Sequence, residues 1–325
     1  MTVVGIHASH EQVHPARLLD AVQAAEQAGF TAAMCSDHFS PWSERQGQSA
    51  FAWSWLGAAL QATTLPFGVV NAPGQRYHPA IIAQAAATLE AMYPGRFWVA
   101  LGTGEASNEH ITGAGWPRKE VRNARLRECV DVMRALFAGE EVSHDGLLTV
   151  DRARLWTRPD RPPPLIGAAV SVDTARWVAG WADGLATIAQ PADKLRAMID
   201  AYRDAGGRGK LVLQVHLSYA ADDAAALRIA HEQWRTNVFS PPLCWDLDSA
   251  EVFDEAAKHV PPEAMHDCVL ISADPGRHAQ WLHDLIELGF DEIYLHHVGQ
   301  EQLEFIEVFG TKVLPQLDVT ARVAR

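Results

Sequence analysis

The run FGVVNAPGQRYHPAIIAQAAATLEAMYPGRFWVALGTGE (Phe67–Glu105) holds a complete unit of the fold. Phe67–Asn71 is a short apolar stretch closed by the turn pair Pro73-Gly74. Pro79–Tyr93 is alanine-rich with proline in its first turn, where the missing N–H has no helical partner to lose, and this predicts a helix. Phe97–Leu101 is a second apolar run, ending in Gly102-Thr103-Gly104-Glu105. Strands that are apolar throughout, instead of alternating, are buried on both faces, and a helix between two of them makes the pair parallel.

The same rhythm continues on both sides. Val3–Ala8, Ala32–Ser36, Pro164–Val170, Leu185–Ala189, Leu211–Tyr219 and Glu292–Val298 read as strands. Helices are expected over Pro15–Ala28, Trp55–Ala62, Ala124–Ala138, Thr174–Trp181, Ala192–Ala205, Asp223–Trp234 and Pro275–Leu288, with Glu301–Leu317 closing the chain. Eight strands with helical partners in 325 residues predict an α/β fold, a single-domain (β/α)8 TIM barrel over 1–325. The absence of GxGxxG after the first strand weakens a doubly wound alternative. Two stretches break the rhythm, 144–164 and 237–267, and long excursions in a compact barrel carry function or cover its mouth.

Lys plus Arg number 27 against 40 Asp plus Glu, a net charge of −13, which disfavours nucleic acid and anionic membranes as partners. No apolar run is long enough to span a bilayer. The opening MTVVGIHASHEQVHP lacks the features of a signal peptide, and the four cysteines show no CxxC, so a cytoplasmic protein with free thiols is expected. No HExxH, acidic cluster or GxSxG is present, so neither metal catalysis nor a serine nucleophile is indicated.

In such barrels the reactive residues project from the carboxyl ends of the strands. Asp37-His38 places a carboxylate beside an imidazole there, suited to acid/base work near neutral pH, although a turn-capping Asp beside a solvated His has the same pattern. Thr103 and Gly104 permit close backbone approach to a flat ligand, and Glu105 could exchange protons; a tight turn with a helix cap reads identically. Gly167–Ser171 could hold a phosphate or simply cap a helix. Trp42, Trp53, Trp55 and Trp116 could line a pocket, whereas Trp98, Trp156, Trp177 and Trp181 read as packing residues. Of His296 and His297 only one can face inward.

Five separate stretches then carry a resemblance. SDHFSPWSERQGQSAFAWSWLGAALQATT (Ser36–Thr64), RYHPAIIAQAAATLEAMYPGR (Arg76–Arg96), ALGTGEASNEHITG (Ala100–Gly113), RLRECVDVMRALF (Arg125–Phe137) and the terminal FGTKVLPQL resemble the bacterial-luciferase-like superfamily of flavin and deazaflavin oxidoreductases. They are most similar to its branch of deazaflavin-dependent glucose-6-phosphate dehydrogenases. The resemblance implies a barrel with the cofactor ring in its mouth. It implies His38 and Glu105 as acid/base pair, Trp42 as pocket aromatic, and Asp37, Thr103, Gly104 and Asn108 as cofactor contacts. Val69-Val70-Asn71 matches a bulge backing the ring, often through a non-proline cis peptide, and Ala168, Ala169 and Ser171 fall where the cofactor phosphate is held. Ile188, Pro191 and Asp267 stand where the sugar-phosphate enzymes have a threonine and two lysines, which argues against glucose 6-phosphate. The chain resembles more closely still a small subgroup that uses FMN. The expectation is therefore an FMN-dependent oxidoreductase, a monooxygenase of a small-molecule substrate, drawing electrons from NAD(P)H or a partner flavin reductase. The alternatives are a dehydrogenase of an unphosphorylated alcohol or sugar using the deazaflavin coenzyme F(420), and a flavin-binding protein without turnover. A homodimer is expected from the same resemblance.

Overall fold

The computed structural model describes residues 2–317. Eight parallel strands form the barrel: β1 (Val3–Ala8), β2 (Ala32–Ser36), β3 (Phe67–Asn71), β4 (Phe97–Leu101), β5 (Leu165–Ala168), β6 (Gly184–Ile188), β7 (Lys210–Ser218) and β8 (Glu292–His297). They neighbour one another in chain order, and β8 pairs with β1 to close the ring. Val3 to Ile6 pair with Glu292 to Leu295, and Gly184 to Ile188 pair with Lys210 to Gln214. The expected (β/α)8 barrel is the observed one, and each expected strand falls within two residues of its place.

Alternation along the strands separates two apolar layers. Val4, Ile6 and Ala8 of β1, Val69 of β3, Leu213 and Val215 of β7 and Leu295 of β8 point outward into the core beneath the helices. Met34, Trp98, Ala100, Ile166, Val212 and Tyr294 point inward and fill the lower barrel. Trp98 and Tyr294 lie with ring centroids 5.9 Å apart, and the Lys210 ammonium sits 4.7 Å above the Trp98 ring. Gly68 is what admits this indole. A Cβ at Gly68 would lie 2.0 Å from a carbon of the Trp98 ring.

Several expectations need correction. Stretch 144–164 is not a cover for the mouth. It contributes to an antiparallel hairpin, Val142–Asp145 with Thr149–Ala153, held to helix Lys119–Ala138 by Glu128. That carboxylate accepts from the Leu147 amide and meets Nε2 of His144, both at 2.8 Å. Trp156 lies beyond this hairpin and is 87% exposed, so it is not a packing residue. The bulge and cis peptide expected at Val69-Val70-Asn71 are also absent. β3 keeps unbroken register with β4 through Asn71↔Leu101, and the cis bond among the described residues is Pro241-Pro242. A strand paired on both edges has no room for an extra residue without losing ladder hydrogen bonds. The helix expected over Glu301–Leu317 is an α-turn (Leu303–Val308) that widens into a π-turn (Phe309–Val313) and ends in a short 3₁₀ turn. No helix among the described residues is long and apolar enough to cross a membrane.

The Gly68→Ala variant should lose about 1–3 kcal/mol of stability through overpacking against Trp98. A lowered denaturant midpoint would show this, whereas an unchanged midpoint would mean that the indole can move aside.

Candidate active site

A cavity of about 480 Å³ opens at the carboxyl ends of the strands. Its centre is an imidazole between two carboxylates. β2 ends at Ser36, and the chain turns so that His38 faces the barrel axis with 18% of its side chain exposed. Its Nδ1 lies 2.7 Å from Oε1 of Glu11, which leaves the loop after β1 and is buried. Its Nε2 points to Oε2 of Glu105, 3.9 Å away in the loop after β4. The Trp42 ring stands edge-on to His38 at 5.4 Å and is backed by Phe253 at the same distance.

These neighbours set the proton affinities. Burial disfavours a charged His38, but Glu11 and then Glu105 outweigh it and raise the pKa to about 9. Burial likewise disfavours an ionised Glu11, yet the adjacent His38 holds its carboxyl well below the ordinary range. Burial pushes Glu105 up to about 7 against the pull of His38. At neutral pH the site is thus an imidazolium–carboxylate pair beside a carboxyl group poised to titrate. Since the folded pKa of His38 lies above its ordinary 6.5, its ionisation stabilises the fold in full below that value. The contribution fades as pH rises through about 9.

The other expected site residues divide into three groups. Val70, Asn71, Thr103, Gly104, Ala168 and Ala169 line the cavity. Gly104 has φ +80°, a conformation that favours glycine, and a Cβ there would meet Glu109 at 2.9 Å. Asn71 donates through Nδ2 to Asp37 at 2.8 Å, and its buried Oδ1 has no partner. Asp37 and Asn108 also border the cavity, but their polar atoms are engaged by protein. Asp37 accepts from Trp53 Nε1, Asn71 Nδ2 and the Tyr77 hydroxyl. Asn108 accepts from the amides of Phe39 and Ser40 and donates to Glu105 at 3.3 Å, which clamps the His38 loop to the Glu105 loop. Val69 lies outside the ring of strands, and Ser171 caps helix Val172–Val178 by accepting from the Thr174 amide.

Of the tryptophans singled out, Trp42 lines the cavity, while Trp53 and Trp55 hold loops through their indole N–H groups and Trp116 donates to Asp246. Trp234 and Trp245 line the cavity and were missed, as were Glu11, Arg76, Gln214 and His216. Arg76 lies between Asp37 and Glu109, donates to the Asp37 carbonyl and offsets their buried charge. His296 faces inward, and His297 stacks on Phe305 outside. The insertion 237–267 does roof the cavity, through residues including Val238, Phe239, Trp245 and Asp267.

Comparison with known proteins now places the chain. The family model described as luciferase-like monooxygenase matches residues 1–292. The chain belongs to the luciferase-like family. Among its curated relatives is an "F(420)-dependent glucose-6-phosphate dehydrogenase" of Segniliparus rotundus, 35% identical with 97% of each chain covered. Another of the same name, from Intrasporangium calvum, is 34% identical over 98% of this chain and 99% of its own. Among solved structures, an "F(420)-dependent secondary alcohol dehydrogenase in complex with an F(420)-acetone adduct" superposes with a TM-score of 0.89 at 31% identity, covering 97% of this chain and 98% of that one. The chain is therefore an oxidoreductase of the flavin/deazaflavin type. The expectation of an FMN-dependent monooxygenase is overturned, because these full-length relatives are F(420)-dependent dehydrogenases. The reading as a non-catalytic flavin-binding protein goes with it.

Replacing Glu11 by Gln removes the charge that holds the proton on His38. The His38 pKa should fall from about 9 by roughly two units, as read by NMR titration of its ring. A titration that stays near the wild-type value would show that Glu11 does not set it.

Proposed function

We propose that the chain is a dehydrogenase of an unphosphorylated alcohol or sugar, dependent on the deazaflavin coenzyme F(420). The observation that carries this reading is His38 between Glu11 and Glu105 at the cavity centre, with Ile188, Pro191 and Asp267 on the cavity wall. A neutral isoleucine, a proline and a carboxylate offer nothing to a phosphate dianion. The names of the relatives support the cofactor.

The residues present suit a flat ring. Gly102, Gly104, Ala168 and Ala169 on the cavity wall are small, and the unpartnered Oδ1 of Asn71 offers an acceptor to a ring N–H. When bound, the deazaflavin supplies a two-electron hydride acceptor. The protein's part is the proton. Nδ1 of His38 is committed to Glu11, so Nε2 is the atom available to the substrate hydroxyl. As the carbinol C–H leaves as hydride, Nε2 takes the O–H proton, and the imidazolium so formed is stabilised by Glu11. Glu105 holds or releases a second proton on the same side, while Trp42 with Phe253 behind it excludes water. His38 must be neutral to accept, so alcohol oxidation should speed up as pH rises toward about 9 and carbonyl reduction should show the opposite trend.

Mixing the protein with each purified cofactor and following fluorescence quenching tests the reading. Binding of F(420) with none of FMN is expected, and tight FMN binding alone would overturn it. His38→Ala should lower kcat at least about 100-fold with the Kd for F(420) unchanged. Isopropanol and glucose should reduce F(420), and glucose 6-phosphate should not. Lys194 lines the cavity near Pro191, so turnover of glucose 6-phosphate that is lost in Lys194→Ala would instead establish a sugar-phosphate enzyme.

The expected homodimer is part of the same proposal. Ile81, Met92, Leu147 and Trp156 are exposed apolar side chains on helix Pro79–Met92 and around the hairpin, and a self-association face would cover them. Light scattering should give twice the chain mass of 35.6 kDa, and Trp156→Glu should shift it to the monomer.

A further inference from the structure

The acid/base group sits toward β2 and β4, but the cavity has another polar wall, formed by His7 of β1, Gln214 and His216 of β7 and His296 of β8. Its hydrogen-bonding sense can be worked out atom by atom. The side-chain amide of Gln12 meets the carbonyl oxygen of Val298. A carbonyl only accepts, so the Gln12 atom there is the nitrogen. Oε1 of Gln12 therefore faces Nε2 of His296, at 2.8 Å, and that nitrogen carries the hydrogen. Nδ1 of His296 is then a bare acceptor and takes one hydrogen from Nε2 of Gln214, 3.2 Å away. The other hydrogen of the same amide goes to Nε2 of His216 at 3.1 Å. Both hydrogens of Gln214 are committed. Its Oε1 accepts nothing from the described residues, on a side chain that lines the cavity.

The neighbouring groups agree. His7 stacks on His296 with centroids 4.4 Å apart and bonds Ser36 through Nε2, and its buried Nδ1 has no partner. Burial brings the pKa of His7 down to about 3 and of His216 to about 4, and holds His296 well below its ordinary value. The wall is uncharged at neutral pH, so it suits a neutral ligand and offers no counter-ion to an anion.

Resting on the reading of the chain as a dehydrogenase of unphosphorylated alcohols, we infer that Gln214 is a specificity-determining residue. Its Oε1 accepts a hydrogen bond from a second hydroxyl of the substrate, so the preferred substrates are diols or polyols without phosphate. The reacting carbinol stands at His38 and the second hydroxyl at Gln214. Turning the Gln214 amide over would bring its oxygen against Nδ1 of His296, an acceptor that Gln12 fixes from the other side of the ring. The acceptor is thus fixed, and a substrate lacking the hydroxyl leaves it unpaired.

Two measurements test this. The first needs no turnover: the ring-nitrogen chemical shifts of the histidines in the intact protein. His296 should be neutral with hydrogen on Nε2, and His216 neutral with hydrogen on Nδ1. Hydrogen on Nδ1 of His296 overturns the assignment. The second compares propylene glycol, glycerol and glucose with isopropanol in F(420) reduction. The best polyol should exceed isopropanol in kcat/KM by on the order of 10-fold or more, and Gln214→Leu should bring the ratio to within about two-fold through KM. The Kd for F(420) should stay within about two-fold of wild type. Gln12→Leu, which frees His296 without touching the cavity residue, should weaken the preference in the same direction, and it serves if the first variant does not fold. F(420) turnover without polyol preference, or preference that survives Gln214→Leu, overturns the inference while leaving the dehydrogenase standing. Failure to bind F(420) with the tautomers as assigned brings down the proposed function instead.

Discussion

The rest of the site depends on the buried contact between Glu11 and His38. A carboxylate taken out of water is tolerated only beside a compensating charge and with its lone pairs occupied. Glu11 meets both conditions through His38 on one oxygen and the Ser9 hydroxyl on the other. The consequences spread outward. The ring nitrogen facing the cavity is decided by the one already taken, and the proton affinity of that ring is decided by the charge behind it. Glu105, farther from His38 than Glu11 is, keeps a carboxyl near neutrality. Two carboxylates of one residue type therefore differ widely in acidity, because one has the closer claim on the imidazolium.

The supporting structure follows the same economy of partners. Asp37, adjacent to His38, accepts three side-chain donors and has an arginine beside it. It fixes Trp53, Asn71, Tyr77 and Arg76 around the start of the loop. Asn108 joins this loop to the one bearing Glu105. Two residues that the resemblance marks as cofactor contacts thus act on the cavity through what they hold in place, and Asn71 is a neighbouring side chain with a free acceptor.

The barrel was legible because all eight strands are short apolar runs and their helices carry their own start and stop signals, such as Pro79 at a first turn and Gly29 after Pro15–Gln27. His38 was legible because it follows closely on a strand end beside Asp37, Glu105 because it closes the Gly102–Glu105 turn, and Trp42 through the resemblance. Glu11 was not, since it lies three residues beyond β1 and nothing in HASHEQ marks which polar residue turns inward. Gln214 and His216 did leave a signal. In LVLQVHL the polar residues recur every second position of an otherwise apolar strand, which puts both on the barrel side. The hairpin at Val142–Ala153 escaped because its strands are charged and exposed, so no apolar period marks them. The bulge expected at β3 came from likeness alone, and local pairing with β2 and β4 leaves no place for it.

The indole of Trp98 has an effect far from its own contacts. Packed over Gly68 with Tyr294 and capped by Lys210, it plugs the tube at the amino ends of the strands. The chamber above is closed at that end and partly roofed by the segment carrying Trp245. With that floor filled by side chains, whatever reaches His38 comes from the carboxyl side of the strands.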